Sequence, residues 1–387
     1  MKMIYMDNAA TSWPKPDIVY DTVLRTMKYY GANPGRSSHT MAIEAANILL
    51  YTREMLCQLF NVQDPFRMIF TYNTTDSLNL AIKGILNKGD HVITTSMEHN
   101  SVIRPLMHLA DQGIGTTIVP ADSEGLIDPA DIKRSIRSNT RLIIATHASN
   151  VTGTVMPIES IGKIAKDSGI YFLLDAAQTA GIIPIDISKL PVDLVAMPGH
   201  KGLLGPQGTG ILYVREGVEL RQIREGGTGS QSESLYQPMF LPDRYESGTL
   251  NTPGIAGLGA GIRYILSKGQ GKIISHVVNM EKLFINALSQ IKGVRVYGPK
   301  DMKNRSGIIS INVWDRDSRE IVNILSQEYG IATRGSLHCA PLAHKTIGTK
   351  EQGTVRFSPG DFNTLDEVKA CVRAIGEISY KIKTRSI

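Results

Sequence analysis

Two hydrophobic patterns alternate along residues 67–215. Short runs rich in Val, Ile and Leu, typical of strands buried on both faces, occur at Arg67–Tyr72, His91–Thr95, Thr116–Pro120, Arg141–His147, Tyr171–Asp175, Val192–Ala196 and Thr209–Val214. Between them apolar residues return every three or four positions, as at Leu78, Ala81 and Ile85, which predicts helices with one buried face. The alternation predicts an α/β domain built on a mostly parallel, seven-stranded sheet.

The pattern changes after about residue 260. Thr252–Lys268 predicts a helix that has Thr252 as its cap and is stopped by Gly269. The later elements predicted are helices at Ile273–Ile291 and Ser318–Glu328, strands at Ser306–Val313 and Thr354–Ser358, and a last helix opened by the capping box Thr364–Glu367. We therefore expect an N-terminal segment (1–15), a large domain (16–260) and a smaller α+β C-terminal domain (261–387).

Composition limits the classes of protein that the chain can represent. Lys plus Arg number 42 against 36 for Asp plus Glu, and the net charge of +6 over 387 residues is too mild to call for nucleic acid. No run reaches the roughly 18 uncharged apolar residues of a spanning helix, and the first residues lack the apolar core of a secretory signal. Three cysteines make no disulfide framework and fit a reducing compartment. We expect a cytoplasmic protein without a membrane partner.

A lysine in a glycine-dense loop is the first candidate for chemistry. Lys201 follows a predicted strand, within the segment Met197–Gly210. A lysine on a tightly turned backbone suits Schiff-base formation, because its amine has to meet a carbonyl at fixed geometry. The alternative is a solvated loop lysine, which is the usual state of a lone lysine. The glycine spacing fits neither a Walker loop nor a dinucleotide fingerprint.

Polar residues follow several of the predicted strands. Asp175 ends one strand, where open parallel sheets bind ligands, and its carboxylate suits the protonated ring nitrogen of pyridoxal phosphate; capping of a helix is the alternative. Thr74 and Thr75 precede a helix and predict either a phosphate seat or simple caps. His99 suits ring stacking or proton transfer, or else it only satisfies local hydrogen bonds.

The C-terminal part contains a candidate thiol and a candidate carboxylate clamp. Cys339 lies beside His338 in a predicted loop and is a candidate reactive cysteine, whereas Cys57 and Cys371 lie in apolar helical patterns and predict packing residues. Zinc binding near Cys339 lacks the usual paired C-x-x-C, so no metal is expected. Arg356, on a predicted strand, suits bidentate recognition of a carboxylate, with a surface ion pair as the alternative.

The order of these motifs resembles that of fold-type I pyridoxal-phosphate enzymes of the class V aminotransferase group. More closely, it resembles the cysteine desulfurase and selenocysteine lyase family. The resemblance runs from Tyr5 to the last helix. Its most specific segments are Ser149–Thr154, Asp175–Gln178, Gly199–Lys201 with Gly205-Pro206, and Glu246–Thr252.

The resemblance implies pyridoxal 5'-phosphate as cofactor and assigns a role to each matching residue. Lys201 would hold the cofactor covalently and His99 would stack on its ring. The other cofactor contacts implied are Asp175 at the ring nitrogen, Gln178 at the phenolic oxygen, Thr74, Thr75 and His200 at the phosphate, and Thr249 at the phosphate of the neighbouring subunit. The substrate carboxylate would lie on Asn150 and Arg356, near the turn that contains Ala9, and Cys339 would accept sulfur.

The activity implied is cysteine desulfuration by a homodimer with shared active sites. L-cysteine would become L-alanine after Lys201 removes the Cα proton. Sulfur would pass to Cys339 as a persulfide, assisted by His338 and a mobile loop, and from there to an acceptor protein. The alternatives are a selenocysteine lyase acting on L-selenocysteine, an aminotransferase or other β-eliminating lyase, and a cofactor-free scaffold.

The chain departs from the family pattern at three positions. Ser336 and Leu337 stand where the thiol loop of the short-loop group has Gly and His, and Pro198 replaces a Ser before Gly-His-Lys. The segment 225–246 is longer than a simple turn, and we expect it at the dimer face.

Overall fold

The fold is taken from a computed structural model, which describes residues 3–35 and 38–384. The strands are β1 (Ile4–Tyr5), β2 (Met68–Thr71), β3 (His91–Thr95), β4 (Gly115–Val119), β5 (Thr140–Thr146), β6 (Tyr171–Asp175), β7 (Leu194–Pro198), β8 (Gly210–Val214), β9 (Val294–Tyr297), β10 (Ile309–Val313), β11 (Ile331–Ala332) and β12 (Val355–Phe357).

The helices flank these strands on both sides. They are α1 (Asp17–Tyr29), α2 (Thr40–Phe60), α3 (Thr74–Ile85), α4 (Asn100–Ala110), α5 (Pro129–Arg134), α6 (Ile158–Asp167), α7 (Thr252–Lys268), α8 (Gln270–Leu288), α9 (Ser318–Tyr329), α10 (Pro341–Thr346) and α11 (Leu365–Lys383). None of the helices described is long and apolar enough to cross a membrane.

A seven-stranded sheet forms the centre of the larger part of the chain. Its strand order is β2-β8-β7-β6-β5-β3-β4, and β8 alone runs against its neighbours. Every residue of β3, β6 (after Tyr171), β7 and β8 is buried, because apolar clusters cover both faces. The predicted mostly parallel, seven-stranded sheet is confirmed.

The C-terminal part is a three-stranded antiparallel sheet covered by helices. The strand order is β12-β10-β9, and α8, α9 and α11 supply a separate apolar core around Phe284 and Phe357. Strand β1 pairs in parallel with β11, Ile4 opposite Ile331. Residues 4 and 5 are therefore fixed on the C-terminal part, and the chain leads from there towards the large sheet.

Most predicted elements are present, and the differences lie at their ends. The cap of α7 is Asn251, whose side chain accepts a hydrogen bond from the Gly254 N–H, so the prediction of Thr252 as cap is wrong. The strand predicted from Ser306 begins at Ile309, because Gly307 has a φ of +86°. The capping box of Thr364 and Glu367 is confirmed.

Candidate active site

The turn that carries Lys201 is packed too tightly for side chains on either side of the lysine. A Cβ at Gly199 would overlap Thr209, and one at Gly202 would overlap the carbonyl of Ala180. Strand β7 ends just before this turn, so the lysine leaves a rigid sheet edge. Burial lowers the pKa of Lys201 to about 8, and the positive charge of Arg356 acts in the same direction. A substantial share of the amine is therefore neutral near pH 8.

The N-terminal segment binds the same turn. The Lys15 ammonium donates to the His200 carbonyl at 2.8 Å and to Ser12 Oγ at 2.6 Å. Ser12 Oγ in turn donates to the Lys201 carbonyl at 2.9 Å, and Thr11 Oγ1 to that of His200 at 3.1 Å. No local sequence pattern marks Lys15 and Ser12, because their partners in the turn lie 185 and 189 positions away.

Asp175 lies at the end of β6 with its carboxyl buried. Its Oδ1 accepts a hydrogen bond of 2.9 Å from the Ala177 N–H. Burial raises the pKa of Asp175 to about 6, against the opposing effects of that hydrogen bond and of Lys201. Nearby, Gln178 donates through Nε2 to the Ala9 carbonyl at 3.3 Å, so the structure brings Gln178 and Ala9 together. Asp175 is the acid best placed to pair with a buried cationic ring nitrogen.

Thr74 and Thr75 form the first turn of α3. The cap is Asn73, which accepts from the Asp76 N–H, and this leaves both threonine hydroxyls free of capping. Thr75 Oγ1 lies 2.8 Å from Ser101 Oγ, while Thr74 Oγ1 is buried without a hydrogen-bond partner among the described residues. An unpaired hydroxyl at a helix N-terminus fits a phosphate oxygen.

Thr249 lies in a different environment, on the segment that leaves Glu246. Its hydroxyl accepts a hydrogen bond of 3.2 Å from Asn33 Nδ2. Glu246 is buried and pairs with Arg53 at 2.6 Å, which anchors the start of this segment. Within the described parts of the chain, no hydrogen bond joins Thr249 to Thr74, Thr75 or His200.

His99 caps α4 and holds its ring in a fixed tautomer. Nδ1 accepts from the Ser101 N–H at 3.0 Å, so in the neutral ring Nε2 carries the hydrogen. Burial, followed by the charge of Lys201, lowers the pKa of His99 to about 4. The N–H of Asn100 donates to the Cys339 carbonyl at 2.8 Å, which ties the start of α4 to the thiol.

Cys339 is exposed on a strained loop between β11 and α10. Ser336, His338 and Cys339 all have positive φ values, of 79°, 48° and 59°, which costs energy in residues with a side chain. Arg334 Nη2 lies 3.4 Å from Cys339 Sγ. Cys57 and Cys371 are buried in α2 and α11, as predicted. Cys339 is the accessible thiol of the three.

The hydrogen bonds found for the His338 ring among the described residues go to Thr354 and not to Cys339. Its ring is buried and Nε2 lies 3.0 Å from Thr354 Oγ1 and 3.1 Å from the Thr354 carbonyl. Burial, together with the charge of Arg356, holds the pKa of His338 well below its usual value. Arg334 contacts Cys339 Sγ, and it is a site residue that the sequence motifs did not predict.

Arg356 is buried at the junction of the N-terminal segment and the two sheets. Its Nη2 is 2.7 Å from Asp7 Oδ1, and its Nη1 donates to the Asn150 carbonyl at 3.1 Å. Asn150 in turn donates through Nδ2 to the His338 carbonyl at 2.7 Å. The surface ion pair considered as the alternative for Arg356 is wrong, since the residue is 1% exposed.

These residues fit pyridoxal phosphate as a set. Lys201 offers an amine, Asp175 a buried carboxylate for the ring nitrogen, and Thr74 an unpaired hydroxyl for the phosphate. The neutral ring of His99 suits stacking. In the part of the chain that the structure describes, no group of three His, Cys, Asp or Glu side chains is arranged to hold a metal ion.

Comparisons with known proteins agree with this arrangement. The sequence model of the Aminotransferase class-V family matches residues 4–371. A probable cysteine desulfurase of Methanothermobacter thermautotrophicus is 36% identical, over 97% of this chain and 94% of the relative. One from Pyrococcus abyssi is 33% identical, over 99% and 96%.

Solved structures give the same result. The apo cysteine desulfurase of Thermococcus onnurineus NA1 superposes with a TM-score of 0.92 at 33% identity, covering 98% of this chain and 95% of that one. The cysteine desulfurase CsdA of Escherichia coli gives 0.88 at 26% identity, with coverages of 98% and 95%.

Proposed function

We infer the activity of this chain from one premise, namely that it belongs to the class V aminotransferase family, with the fold-type I architecture of that group. We propose that it is a pyridoxal-phosphate-dependent cysteine desulfurase that converts L-cysteine to L-alanine. The observation that carries the proposal is the position of Cys339. The exposed thiol of Cys339 lies 3.4 Å from Arg334 Nη2. The backbone carbonyl of Cys339 accepts a hydrogen bond from the N–H of Asn100, the residue after His99.

The cofactor, when bound, supplies an aldehyde for amines and a protonated ring that withdraws electrons from Cα. Lys201, Asp175, Gln178 and His99 would hold the ring. Thr74, Thr75 and His200 would bind the phosphate, together with Thr249 of the second subunit. Asp175 has to stay ionised for this task, and the cationic ring nitrogen would lower its raised pKa.

Substrate binding would use the buried arginine and its neighbours. Arg356 and Asn150 would take the carboxylate of L-cysteine, with Ala9 in the turn beside them. Lys201 would move the Cα proton through Nζ, a role that suits an amine with a pKa of about 8. These groups place the substrate between the lysine turn and the thiol loop.

Cys339 would then take the sulfur. Its thiolate attacks the substrate sulfur, so that an S–S bond forms as the carbon–sulfur bond breaks, and alanine leaves after protonation of its Cβ. The product on the chain is a persulfide, which an acceptor protein or a thiol reductant removes. A reducing, cytoplasmic setting suits this thiol, because it has to be returned to the reduced state between turnovers.

We also propose a homodimer with shared active sites. Segment 225–246 exposes four large apolar side chains, and α1 exposes four more: Leu235, Tyr236, Met239, Phe240, Tyr20, Leu24, Met27 and Tyr29. Apolar surface on this scale indicates an interface. A second copy of the chain is the partner that would also bring Thr249 to the neighbouring phosphate.

The test is alanine formation and sulfide release from L-cysteine, with reductant present. Wild type should form both products, Cys339→Ser should lose nearly all sulfide release, and Cys57→Ala, at another thiol, should keep it. Full release by Cys339→Ser would overturn the persulfide step. Lys201→Ala should also abolish the visible band of the holoenzyme.

The same assay separates the alternatives. L-selenocysteine as the only productive substrate, independent of Cys339, would indicate a selenocysteine lyase. Amino transfer to a 2-oxo acid would indicate an aminotransferase.

A further inference from the structure

Glu98 is a fully buried acid that the proposed mechanism does not use. It stands between β3 and His99, and its side chain turns into the protein, where it is 0% exposed. Oε1 accepts hydrogen bonds from Thr95 Oγ1 at 2.7 Å and from the Thr146 N–H at 3.0 Å. Thr95 and Thr146 end the neighbouring parallel strands β3 and β5, so this one carboxyl joins the two strand ends.

Glu98 has no counter-charge among the residues that the structure describes. No Lys, Arg or His of the described chain lies within 4 Å of its carboxyl oxygens, and Oε2 is buried without any hydrogen-bond partner. A buried carboxylate in that setting loses its hydration without gaining a counter-charge, which favours the protonated form. In agreement, burial raises the pKa of Glu98 to about 8, although the hydrogen bonds from Thr95 and Thr146 act the other way.

Glu98 is also coupled to Asp175. Thr146, whose N–H binds Glu98, is the register partner of Asp175 in the pairing of β5 with β6. The negative charge of Asp175 raises the pKa of Glu98 further. The other titratable groups at this sheet edge are His99 and His147. His99 is the next residue in the chain, and His147 follows β5 and donates its backbone N–H to the Asp175 carbonyl.

We propose that Glu98 is a positioning residue held as a neutral acid, which joins the ends of β3 and β5 and leaves Asp175 as the negative group that would pair with the ring nitrogen of the cofactor. This inference rests on the proposed function. Ionisation of Glu98 would place a second anion beside Asp175. This second negative charge would favour the protonated forms of the cofactor ring and of the group at Lys201. The protonation of the cofactor would therefore depend on whether Glu98 is ionised.

The experiment compares Glu98→Gln with wild-type holoenzyme between pH 5 and 9. Since the pKa is higher in the folded than in the unfolded chain, folded wild type retains the proton and loses stability as pH rises from about 4.5 to 8. Gln keeps the hydrogen-bond acceptor and cannot ionise. The melting temperature of Glu98→Gln should therefore gain about 3 to 6 °C on wild type across this range. A difference in melting temperature that does not change with pH would show that Glu98 is not held as a neutral acid.

A second measurement tests the link to Asp175. Above about pH 8, where Glu98 ionises in wild type, its negative charge favours the protonated cofactor. The alkaline midpoint of the visible cofactor band should therefore lie about half to one pH unit lower in Glu98→Gln, which cannot ionise. Equal alkaline midpoints in wild type and Glu98→Gln would show that Glu98 does not act on the cofactor through Asp175. Wild type that shows no visible band with added pyridoxal phosphate would instead refute the proposed function and leave the stability result intact.

Thr95→Val provides the test if Glu98→Gln does not fold. The substitution removes the hydroxyl that donates to Glu98 Oε1 and preserves the shape of a buried side chain. Loss of that donor raises the pKa of Glu98, so the alkaline fall in stability should extend to higher pH than in wild type. A fall that ends at lower pH would contradict the proposal.

Discussion

Asp7 Oδ1 and Arg356 Nη2 form an ion pair at 2.7 Å, between residues that are 349 positions apart in the chain. The guanidinium is buried and its Nε has no hydrogen-bond partner among the residues described. The arginine proposed for the substrate carboxylate thus already faces an anion. Asp7 balances the buried cation, and we expect it to compete with the substrate carboxylate for Arg356.

We expect Asp7→Asn to bind substrate more tightly at the expense of stability. Without Asp7 the guanidinium lacks a counter-charge, and the cysteine carboxylate would supply one. The KM for L-cysteine should fall by about three- to tenfold, while the loss of a charged hydrogen bond destabilises the free protein by about 1.5–3 kcal/mol. Steady-state kinetics and thermal melts measure both effects.

Asp17→Asn is the matched control, since Asp17 is an exposed aspartate at the start of α1. It should leave both quantities unchanged. A higher KM in Asp7→Asn would mean that Asp7 orients Arg356 for the substrate and does not compete with it.

Arg334 is predicted to control the reactivity of Cys339. Its Nη2 is 3.4 Å from Sγ, so its positive charge lies against the sulfur when that atom attacks an electrophile. Arg334→Gln should slow alkylation of Cys339 by iodoacetamide at pH 7.5 by about three- to tenfold. Peptide mass spectrometry follows the reaction at this site, since the other two cysteines are buried.

Arg319→Gln is the control for that experiment. Arg319 is exposed in the first turn of α9, where its side chain pairs with Asp317. Its removal should leave the alkylation rate of Cys339 within experimental error. An unchanged rate in Arg334→Gln as well would rule out the guanidinium as the activating group.

The sheet could be predicted from sequence because its strands are local patterns. Runs such as Tyr171–Asp175 are apolar on both faces, and their ends fix the positions of Asp175 and of Lys201. The pairs Asp7–Arg356 and Lys15–His200 could not be predicted in this way, because each joins distant residues whose local sequence is ordinary. The cap of α7 was misplaced for a different reason, since adjacent Asn251 and Thr252 are both good caps.

Buried neutral histidines should make the protein sensitive to acid. Burial lowers the pKa of His147 and His344 to about 4. Because the folded chain binds a proton less readily than the unfolded one, the contribution of each histidine is present above pH 6.5 and is lost as pH falls towards 4. The free energy of unfolding should therefore decrease over that window, by up to about 3 kcal/mol for each histidine.

His344→Gln isolates one of these contributions. His344 is fully buried, with Nδ1 2.7 Å from Thr349 Oγ1. The variant should be less stable at pH 7 and should lose less stability between pH 6.5 and 4.5 than wild type does, as measured by urea unfolding. His108→Gln, at an exposed histidine of α4, should retain the wild-type slope. Equal slopes in all three proteins would show that His344 takes up no proton on unfolding.

The exposed apolar segment 225–246 should hold the dimer together. Leu235 and Tyr236 are 98% and 85% exposed in the single chain. A second copy of the chain would bury this apolar surface. Changing both to Asp should shift the protein from dimer to monomer in sedimentation velocity at micromolar concentration. It should also weaken binding of pyridoxal phosphate, because Thr249 would no longer reach the neighbouring site.

Tyr380→Asp, which places the same charge at a residue 69% exposed on α11, should remain dimeric with unchanged cofactor affinity. A dimer that survives the double substitution would move the interface to the exposed face of α1, where Leu24 and Met27 are the next residues to change.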